Sequence, residues 1–357
     1  MTDAELTLNP TVPVNEHDRL EPDTLQKYLQ PVLGLTGSRF QVRRFPAGFS
    51  NLTYLITTEE KKFVLRRPPF GVKARSAHDM GREYKVLSSL KPLFPLCPTP
   101  LHYCEDESII GSPFFVMEHL DGLILRQDAS STDPDMFRVQ ATEMMRVLAT
   151  LHRLDPNHPE ISIRGTPDGY VDRQIRGWSE RFRASRTEDV PDFETVMAWI
   201  SDHRPPATAT LPAVIHNDYK PDNIVFDPRD PGRIIGVLDW EMATLGDACM
   251  DLGNSLAYWV EKSDPPDKQI FRTMPTDLPG APTRREMLAI WEENTGHKID
   301  NFSWYYLFGV FRLAVISQQI YFRFSKGQAN DPRFSMMSHA VKAMERVCRN
   351  IMETGDY

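Results

Sequence analysis

Residues 214–227 have the sequence VIHNDYKPDNIVFD, in which apolar residues at both ends enclose a polar centre. The apolar ends are typical of strands in a buried sheet. Between them lie His216, Asp218, Lys220 and Asn223, which a buried strand does not accommodate without hydrogen-bond partners. The pattern predicts strands that position a polar loop between them.

A hairpin is predicted directly after this loop. The segments NIVFD and RIIGVLDW are typical of strands, and the PRDPG between them is a strong turn signal. Asp218, Asn223 and Asp239 therefore form a spaced set. Phosphoryl transfer needs one carboxylate to accept a hydroxyl proton and hard oxygen ligands for Mg²⁺, and this set supplies both. Lys220 could neutralise the transferring phosphoryl group.

Each member of this set has a simpler explanation when it is taken alone. An Asp-x4-Asn spacing is most often turn chemistry, and Asp239 by itself could cap a helix. The combination on two hairpin strands, followed by helices, favours the functional interpretation.

The character of the chain changes near residue 120. Residues 21–120 contain several strand-like runs and one helix, and FSNLTYLITTEEKKFVLRRP predicts a hairpin with its turn at residues 59–61. Residues 121–357 are mainly helical and include the hairpin with the polar loop. We therefore expect an α+β protein with an N-terminal tail (1–20), a β-rich N-lobe and a helical C-lobe.

Composition argues against several classes of protein. The 357-residue chain has a formal net charge of −8, which disfavours a nucleic-acid or anionic-membrane binder. Its four cysteines form no CxxC pair, and the N-terminus lacks the apolar stretch of a signal peptide, so we expect a reduced, cytoplasmic chain. The longest apolar region, residues 305–322, is interrupted by Arg312 and two glutamines, which predicts a buried helix and no membrane span.

The motifs HNDYKPDN, GVLDWE and GDACMDLG resemble those of the aminoglycoside phosphotransferase and choline kinase superfamily. FPAGFSNLTYLI is similar to its phosphate loop, and the resemblance covers roughly residues 30–330. GFSNLTYLI, VLRRPP, SAHDMGREYKVL and DWEMATLGD most resemble the kinase-like domain that is fused to some acyl-CoA dehydrogenases. The resemblance implies a bilobal protein-kinase-like fold that uses ATP and Mg²⁺.

The resemblance also implies roles for the polar loop and its surroundings. Asp218 would be the catalytic base, Asn223 and Asp239 would hold Mg²⁺, and His216 would brace the loop. Asp251 would accept hydrogen bonds from the same loop, and an alternative role as the N-cap of the following helix is equally compatible with the sequence.

Nucleotide binding is implied at seven further positions. They are Gly48, Ser50 and Asn51 for the phosphates, Arg66 and Glu83 as the cation and its carboxylate, and the main-chain groups of Glu118 and Leu120 for adenine. Arg66 departs from the family pattern, which has lysine there. The exchange alters reach and geometry and puts ATP affinity or rate in question.

The phosphoryl acceptor is expected to be a small molecule, because no Ala-Pro-Glu anchor of protein kinases follows Asp239. Arg312, Arg323 and Lys326 on one helix favour an anionic or amphipathic acceptor, such as a hydroxyacyl compound or its CoA thioester, and Trp304 and Arg312 are its candidate contacts. Glu241 and Asp247 keep an aminoglycoside or a choline-like amine open, and a sugar also stays open. A non-catalytic nucleotide-binding pseudokinase is the rival from another class, with the arginine in place of lysine as its one supporting feature. The sequence leaves ATP versus GTP preference and oligomeric state open.

Overall fold

A computed structural model describes residues 11–14, 20–35, 39–46, 51–69, 79–126, 133–329 and 331–357. The chain divides into two compact units. Unit 1 comprises Met1–Ile124, Asn157–Ile163 and Asn223–Ala243, and unit 2 comprises Leu125–Pro156, Arg164–Asp222 and Thr244–Tyr357.

Unit 1 is built on a five-stranded antiparallel sheet with the order β1-β2-β3-β5-β4. The strands are β1 (Gln41–Arg44), β2 (Leu52–Thr57), β3 (Lys62–Arg67), β4 (Pro100–Cys104) and β5 (Phe114–Glu118). Its helices are α1 (Pro22–Val32), α2 (Met80–Leu90) and the short α3 (Glu107–Ile110).

The β2–β3 hairpin shows how the sequence produces this sheet. Alternate residues of β2 are buried, and they include Tyr54 and Ile56, whereas the central strand β3 is buried from Phe63 onward on both faces. Thr57 pairs with Lys62 at the turn, which confirms the hairpin predicted at residues 59–61. The inward side chains pack with Leu25 of α1 in one apolar core.

The second hairpin, β7 (Ile224–Asp227) and β8 (Asp230–Val237), belongs to unit 1. Leu123 and Phe226 exchange two main-chain hydrogen bonds of 2.9 and 2.8 Å, and Val237 N–H donates to the Leu96 carbonyl at 2.8 Å. These bonds group the hairpin with unit 1, although the sequence boundary near residue 120 assigned it to the helical lobe.

Unit 2 is mainly helical. Its helices are α4 (Pro134–His152), α5 (Tyr170–Ser185), α6 (Glu194–Asp202), α7 (Ala248–Ala257), α8 (Pro266–Gln269), α9 (Arg284–Thr295), α10 (Phe302–Ser325) and α11 (Met337–Thr354). Two short antiparallel strands, β6 (Pro212–Ile215) and β9 (Thr244–Asp247), complete the unit. A β-rich N-terminal part and a helical C-terminal part confirm the predicted α+β class.

The apolar segment 305–322 lies within α10, as predicted. A Cβ added at Gly309 would stand 2.4 Å from the carbonyl oxygen of Gly253 in α7, so the two glycines allow close approach of these helices. The first half of α10 is buried, including Arg312. Within the described residues, no helix has the length and apolar character needed to cross a membrane.

Candidate active site

The polar loop predicted at the centre of the fold follows β6. His216 is fully buried, and the chain then turns at Asn217, whose φ of 66° lies in the left-handed region. Asp218 follows this turn, and a 3₁₀ turn at Pro221–Asn223 leads into β7. The strand, the left-handed residue and the 3₁₀ turn thus determine where the loop side chains lie.

Asp251 fixes the main chain of the loop. Its Oδ2 accepts a hydrogen bond from the His216 amide at 2.8 Å, and its Oδ1 accepts one from the Asn217 amide at 2.7 Å. Trp291 Nε1 donates to His152 Nδ1 at 3.0 Å, so His152 Nε2 carries the proton that faces Asp251 Oδ2 at 3.1 Å. Burial acts to raise the pKa of Asp251, but the histidine and amide donors outweigh it and lower that pKa.

This arrangement decides between the two roles considered for Asp251. The residue lies inside α7, and the N-cap of that helix is Asp247, whose carboxylate accepts from the amides of Cys249 and Met250. The N-cap alternative for Asp251 is therefore wrong, and Asp251 is an acceptor for the loop.

Asp218 has partners at both carboxylate oxygens and at its main-chain amide. Lys220 Nζ lies 3.0 Å from its Oδ2, Tyr258 Oη donates to its Oδ1 at 3.1 Å, and its own amide donates to His216 Nδ1 at 3.2 Å. Burial acts to lower the pKa of Lys220, but Tyr258, Asp218 and Asp222 outweigh it and raise that pKa above its usual range. Lys220 is therefore an ammonium ion at neutral pH, held against Asp218.

Three of the expected acceptor contacts lie in the interior of unit 2. Trp304 is fully buried, and its indole donates to the Ile200 carbonyl at 3.0 Å. Asp247 is the buried N-cap described above. Arg312 is buried and donates to the Asn217 carbonyl at 2.7 Å. The expectation that Trp304 and Asp247 contact the acceptor is therefore corrected, because Trp304 packs in the core and Asp247 caps a helix. Arg312 binds the main chain of the loop.

A second cluster of charged groups lies in unit 1, and we call Arg66, Glu83, Asp239 and Glu241 the carboxylate cluster. Arg66 donates to Glu83, to Asp239 Oδ1 at 3.0 Å and to Glu241 Oε2 at 3.4 Å. Asn51 Nδ2 donates to the same Glu241 oxygen at 2.6 Å. The contact expected between Arg66 and Glu83 is therefore present, and Glu241 also bonds within unit 1.

Burial has opposite consequences for the two partners at the centre of this cluster. It raises the pKa of Glu83 to about 8, even though Arg66 acts to lower it. Burial alone would lower the pKa of Arg66, but the three carboxylates outweigh this and raise it above its usual range. Arg66 is thus a permanent cation that can neither lose its proton nor leave the carboxylates at low cost.

Asn223 and Asp239 are the predicted metal ligands, and both belong to unit 1. Asn223 is buried at the end of the 3₁₀ turn, and the Asp239 side chain is 34% exposed, with a left-handed φ of 66°. No group of three or more His, Cys, Asp or Glu side chains that could hold a metal ion occurs in the described part of the chain. A site here would therefore combine one carboxylate with an amide oxygen.

The predicted nucleotide contacts divide between described and undescribed residues. Gly48 and Ser50 lie outside the described residues. The Glu118 amide donates to the Thr99 carbonyl at 2.9 Å, so it is already used inside unit 1. Leu120 follows β5 outside any strand.

Sequence reasoning missed the side chains that reach the loop from distant segments. Tyr170 Oη donates to Asn217 Oδ1 at 3.2 Å, and Tyr258 donates to Asp218. Asp251 and Tyr258 are seven residues apart on one helix, which places them on the same face. The seven-residue spacing from Asp251 is the sequence feature that could have predicted a contact of Tyr258 with the loop. No local signal pointed to Tyr170, which lies 47 residues before its partner.

The fold and the loop define a class of protein. The sequence model of the Phosphotransferase enzyme family matches residues 41–287, and the chain belongs to this family. The β-rich N-terminal part, the helical C-terminal part and the structural likenesses below confirm the protein-kinase-like fold.

Three known proteins show where this chain falls within the class. Acyl-CoA dehydrogenase family member 10 of Mus musculus is 34% identical over 339 residues, which cover 94% of this chain and 31% of the mouse protein. The chain thus spans about a third of that relative's length. A Ralstonia eutropha protein, provisionally described as an aminoglycoside phosphotransferase, has a TM-score of 0.79 and 28% identity, with 94% of this chain and 99% of that chain covered. A spectinomycin phosphotransferase in complex with ADP and spectinomycin shares the fold, with a TM-score of 0.60, 13% identity, and 92% and 99% of the two chains covered.

Proposed function

We propose that this phosphotransferase moves the γ-phosphoryl group of MgATP to a hydroxyl group of a small molecule. One observation carries the proposal. The carboxylate of Asp218 is partly exposed and is held on a loop whose main chain is fixed by Asp251 and His216, with the Lys220 ammonium 3.0 Å away. A carboxylate that is fixed, accessible and next to a cation is what proton abstraction from an acceptor hydroxyl requires.

Each loop residue has a defined task in this proposal. Asp218 accepts the hydroxyl proton. His216 holds the Asp218 amide through Nδ1 and thereby sets the direction of the loop. Lys220 supplies positive charge for the transferring group. Because the protein performs little covalent chemistry in phosphoryl transfer, this positioning and charge placement account for most of its contribution.

The donor set in unit 1 fits a hard divalent cation. Asn223 offers an amide oxygen and Asp239 a partly exposed carboxylate, and Mg²⁺ is commonly held through one or two carboxylates together with substrate phosphates. Bound Mg²⁺ would neutralise phosphate charge. Asp239 and Asn223 would hold it, and Arg66 would keep the Asp239 carboxylate oriented.

Nucleotide binding is supported by the same unit. Arg66 is fixed by the carboxylate cluster and would contact phosphate, with Glu83 as its partner. Gly48, Ser50 and Asn51 would cover the phosphates through main-chain amides, and Glu118 and Leu120 would face adenine. The spectinomycin phosphotransferase of the same fold binds ADP, which supports nucleotide binding by this chain.

The acceptor class that we favour is a hydroxyacyl compound or its CoA thioester. The similarity to a protein named as an acyl-CoA dehydrogenase family member supports this choice. The cationic alternatives depended on the carboxylates of Asp247 and Glu241. Asp247 is a buried helix cap, and Glu241 already accepts hydrogen bonds from Arg66 and Asn51, so both alternatives lose support. The pseudokinase alternative rested on the arginine at position 66, and that arginine contacts Glu83, the carboxylate partner that the resemblance implies for the nucleotide-binding cation.

An acceptor screen tests the proposal. ADP formation from MgATP is measured with 3-hydroxybutyryl-CoA, kanamycin and choline, in wild type, Asp218→Ala and the exposed helix-end control Asp202→Ala. We expect turnover of one acceptor to fall about 10²–10⁴-fold in Asp218→Ala and to stay unchanged in the control. ATP binding without any phosphorylated acceptor above the Asp218→Ala background would establish the pseudokinase instead.

A further inference from the structure

Tyr258 makes a contact that the proposed roles do not use. It follows the last turn of α7, and its hydroxyl donates to Asp218 Oδ1 at 3.1 Å. Lys220 Nζ lies 3.0 Å from the other carboxylate oxygen, Oδ2. Each oxygen of Asp218 thus has its own donor, so the carboxylate is held against rotation from both sides.

The position of Tyr258 follows from the helix that carries it. Asp251 lies seven residues earlier on α7, about two helical turns away, and so on the same face. Asp251 fixes the amides of His216 and Asn217, and Tyr258 reaches the next residue of the loop. One helix face therefore holds both the main chain of the loop and the side chain of Asp218.

The end of α7 is itself anchored, so the tyrosine does not depend on the loop for its position. The next residue, Trp259, is buried, and its indole donates to the Pro282 carbonyl at 2.9 Å. The Tyr258 ring also lies beneath Lys220, whose Nζ stands 5.0 Å from the ring centroid. The ring therefore packs against the same cation that faces Asp218.

The charged groups around Tyr258 are Asp218 and Lys220 on the loop and Arg312 on α10. Burial raises the pKa of Tyr258 to about 12, and Asp218 acts in the same direction, whereas Lys220 and Arg312 act against it. The hydroxyl consequently keeps its proton throughout the neutral range and acts towards Asp218 as a donor.

We propose that Tyr258 is a positioning residue for phosphoryl transfer, whose hydroxyl orients the carboxylate of Asp218 towards the acceptor hydroxyl. The inference rests on the proposed function, since it assigns Asp218 as the base. Without the hydroxyl, the carboxylate can turn both oxygens towards Lys220, and the acceptor hydroxyl then meets a base in a less favourable orientation.

The test removes the hydroxyl and keeps the ring. Wild type and Tyr258→Phe are compared in kcat and KM for ADP formation from MgATP at neutral pH, with the three acceptors above and with water as acceptor. The matched control is Tyr321→Phe, which deletes the same kind of bond from Tyr321 Oη to Asp189 Oδ2 at 2.8 Å on the exposed side of α10. The thermal midpoint of each variant is measured, and rates are normalised to the folded fraction.

We expect Tyr258→Phe to lower kcat about tenfold, the cost of one hydrogen bond to a charged group. The KM for MgATP should stay unchanged, because the lost hydroxyl contacts the base and not the nucleotide. A merely structural tyrosine would lower the thermal midpoint without separating kcat from KM in this way. An unchanged kcat in Tyr258→Phe, or an equal fall in Tyr321→Phe, would overturn the inference. A wild type that transfers phosphoryl to no acceptor, water included, would instead overturn the proposed function and this inference with it.

Discussion

Asn217 occupies a backbone conformation that few side chains tolerate. Its φ of 66° costs a residue with a Cβ about 1 kcal/mol, and asparagine and glycine bear it best. Three contacts hold it there: the Asp251 carboxylate on its amide, Arg312 on its carbonyl and Tyr170 on its side chain. Because Asp218 is the next residue, the backbone conformation of Asn217 determines the direction in which the Asp218 side chain points.

Substitution of Asn217 should separate the backbone requirement from the side-chain bond. Asn217→Gly keeps the left-handed conformation and both main-chain bonds, so we expect turnover within about threefold of wild type. Asn217→Ala loses the same side-chain bond and also adds the left-handed strain, so we expect it to unfold about 1 kcal/mol more easily than the glycine variant. Urea unfolding and kcat are the measurements. Equal stability of the two variants would show that the left-handed backbone is not what the position demands.

The residues of the site differ in how far the sequence could reveal them. The spacing of His216, Asp218 and Asn223 was sufficient to predict a polar loop between strands, because all three lie in one short segment. Arg312 was predicted as a contact for an anionic acceptor, and its role at the loop was not. Its partner, the Asn217 carbonyl, lies 95 residues away and leaves no mark in the local sequence.

At the element scale, α7 is the helix on which the loop depends, and its N-terminus is unusual. Asp247 caps it through Oδ1, which accepts from the Cys249 amide at 2.7 Å, while its Oδ2 is buried and has no hydrogen-bond partner among the described residues. Burial therefore raises the pKa of Asp247 to about 6, despite the amide donors that act to lower it. The carboxylate is an effective cap that carries the cost of a desolvated charge.

The stability that Asp247 contributes depends on pH, because its pKa rises from 3.8 to about 6 on folding. Between these pH values the folded protein keeps a proton that the unfolded chain has lost. The contribution is therefore full below about pH 4 and is lost as the pH rises to about 6. An asparagine caps a helix equally well without the charge, so the Asp247→Asn variant should gain about 2–3 kcal/mol relative to wild type over this interval. Urea unfolding at pH 4 and pH 7 measures the difference, and a pH-independent difference would contradict the assignment.

Elements were predictable where their partners are close in sequence. The β2–β3 and β7–β8 hairpins followed from alternating or apolar runs around a turn, and the α10 helix followed from its length and apolar character. Strand β9 was not predicted, because its four residues carry no strand pattern of their own and form a strand by pairing with β6, about 30 residues earlier. The N-cap alternative for Asp251 was wrong because α7 begins about one helical turn earlier in the chain than the sequence indicated, with Asp247 as its N-cap.

At the scale of the whole molecule, the predicted site residues fall in two compact units of the chain. Asp218 and Lys220 belong to unit 2, whereas Asn223, Asp239 and Arg66 belong to unit 1. The sequence boundary at residue 120 could not show this, because the β7–β8 hairpin joins unit 1 through bonds to Leu96 and Leu123 that span more than 100 residues. Binding of a nucleotide to unit 1 is therefore expected to be measurable by itself, without turnover.

Thermal unfolding of the whole chain tests the metal and nucleotide assignment in this way. A ligand that binds only the folded protein stabilises it by about 2.7 kcal/mol at a hundredfold excess over Kd, which should raise the apparent midpoint by about 4 °C with MgADP. Because Asp239 would hold the metal, Asp239→Asn should lose the part of this rise that depends on Mg²⁺, and its midpoint with MgADP should equal its midpoint with ADP and EDTA. The control is Asp230→Asn, an exposed aspartate at the start of β8 in the same hairpin, which should keep the full rise. A Mg²⁺-dependent rise in Asp239→Asn as large as in wild type would remove Asp239 from the metal site, and a larger rise with MgGDP than with MgADP would replace ATP by GTP in the proposed function.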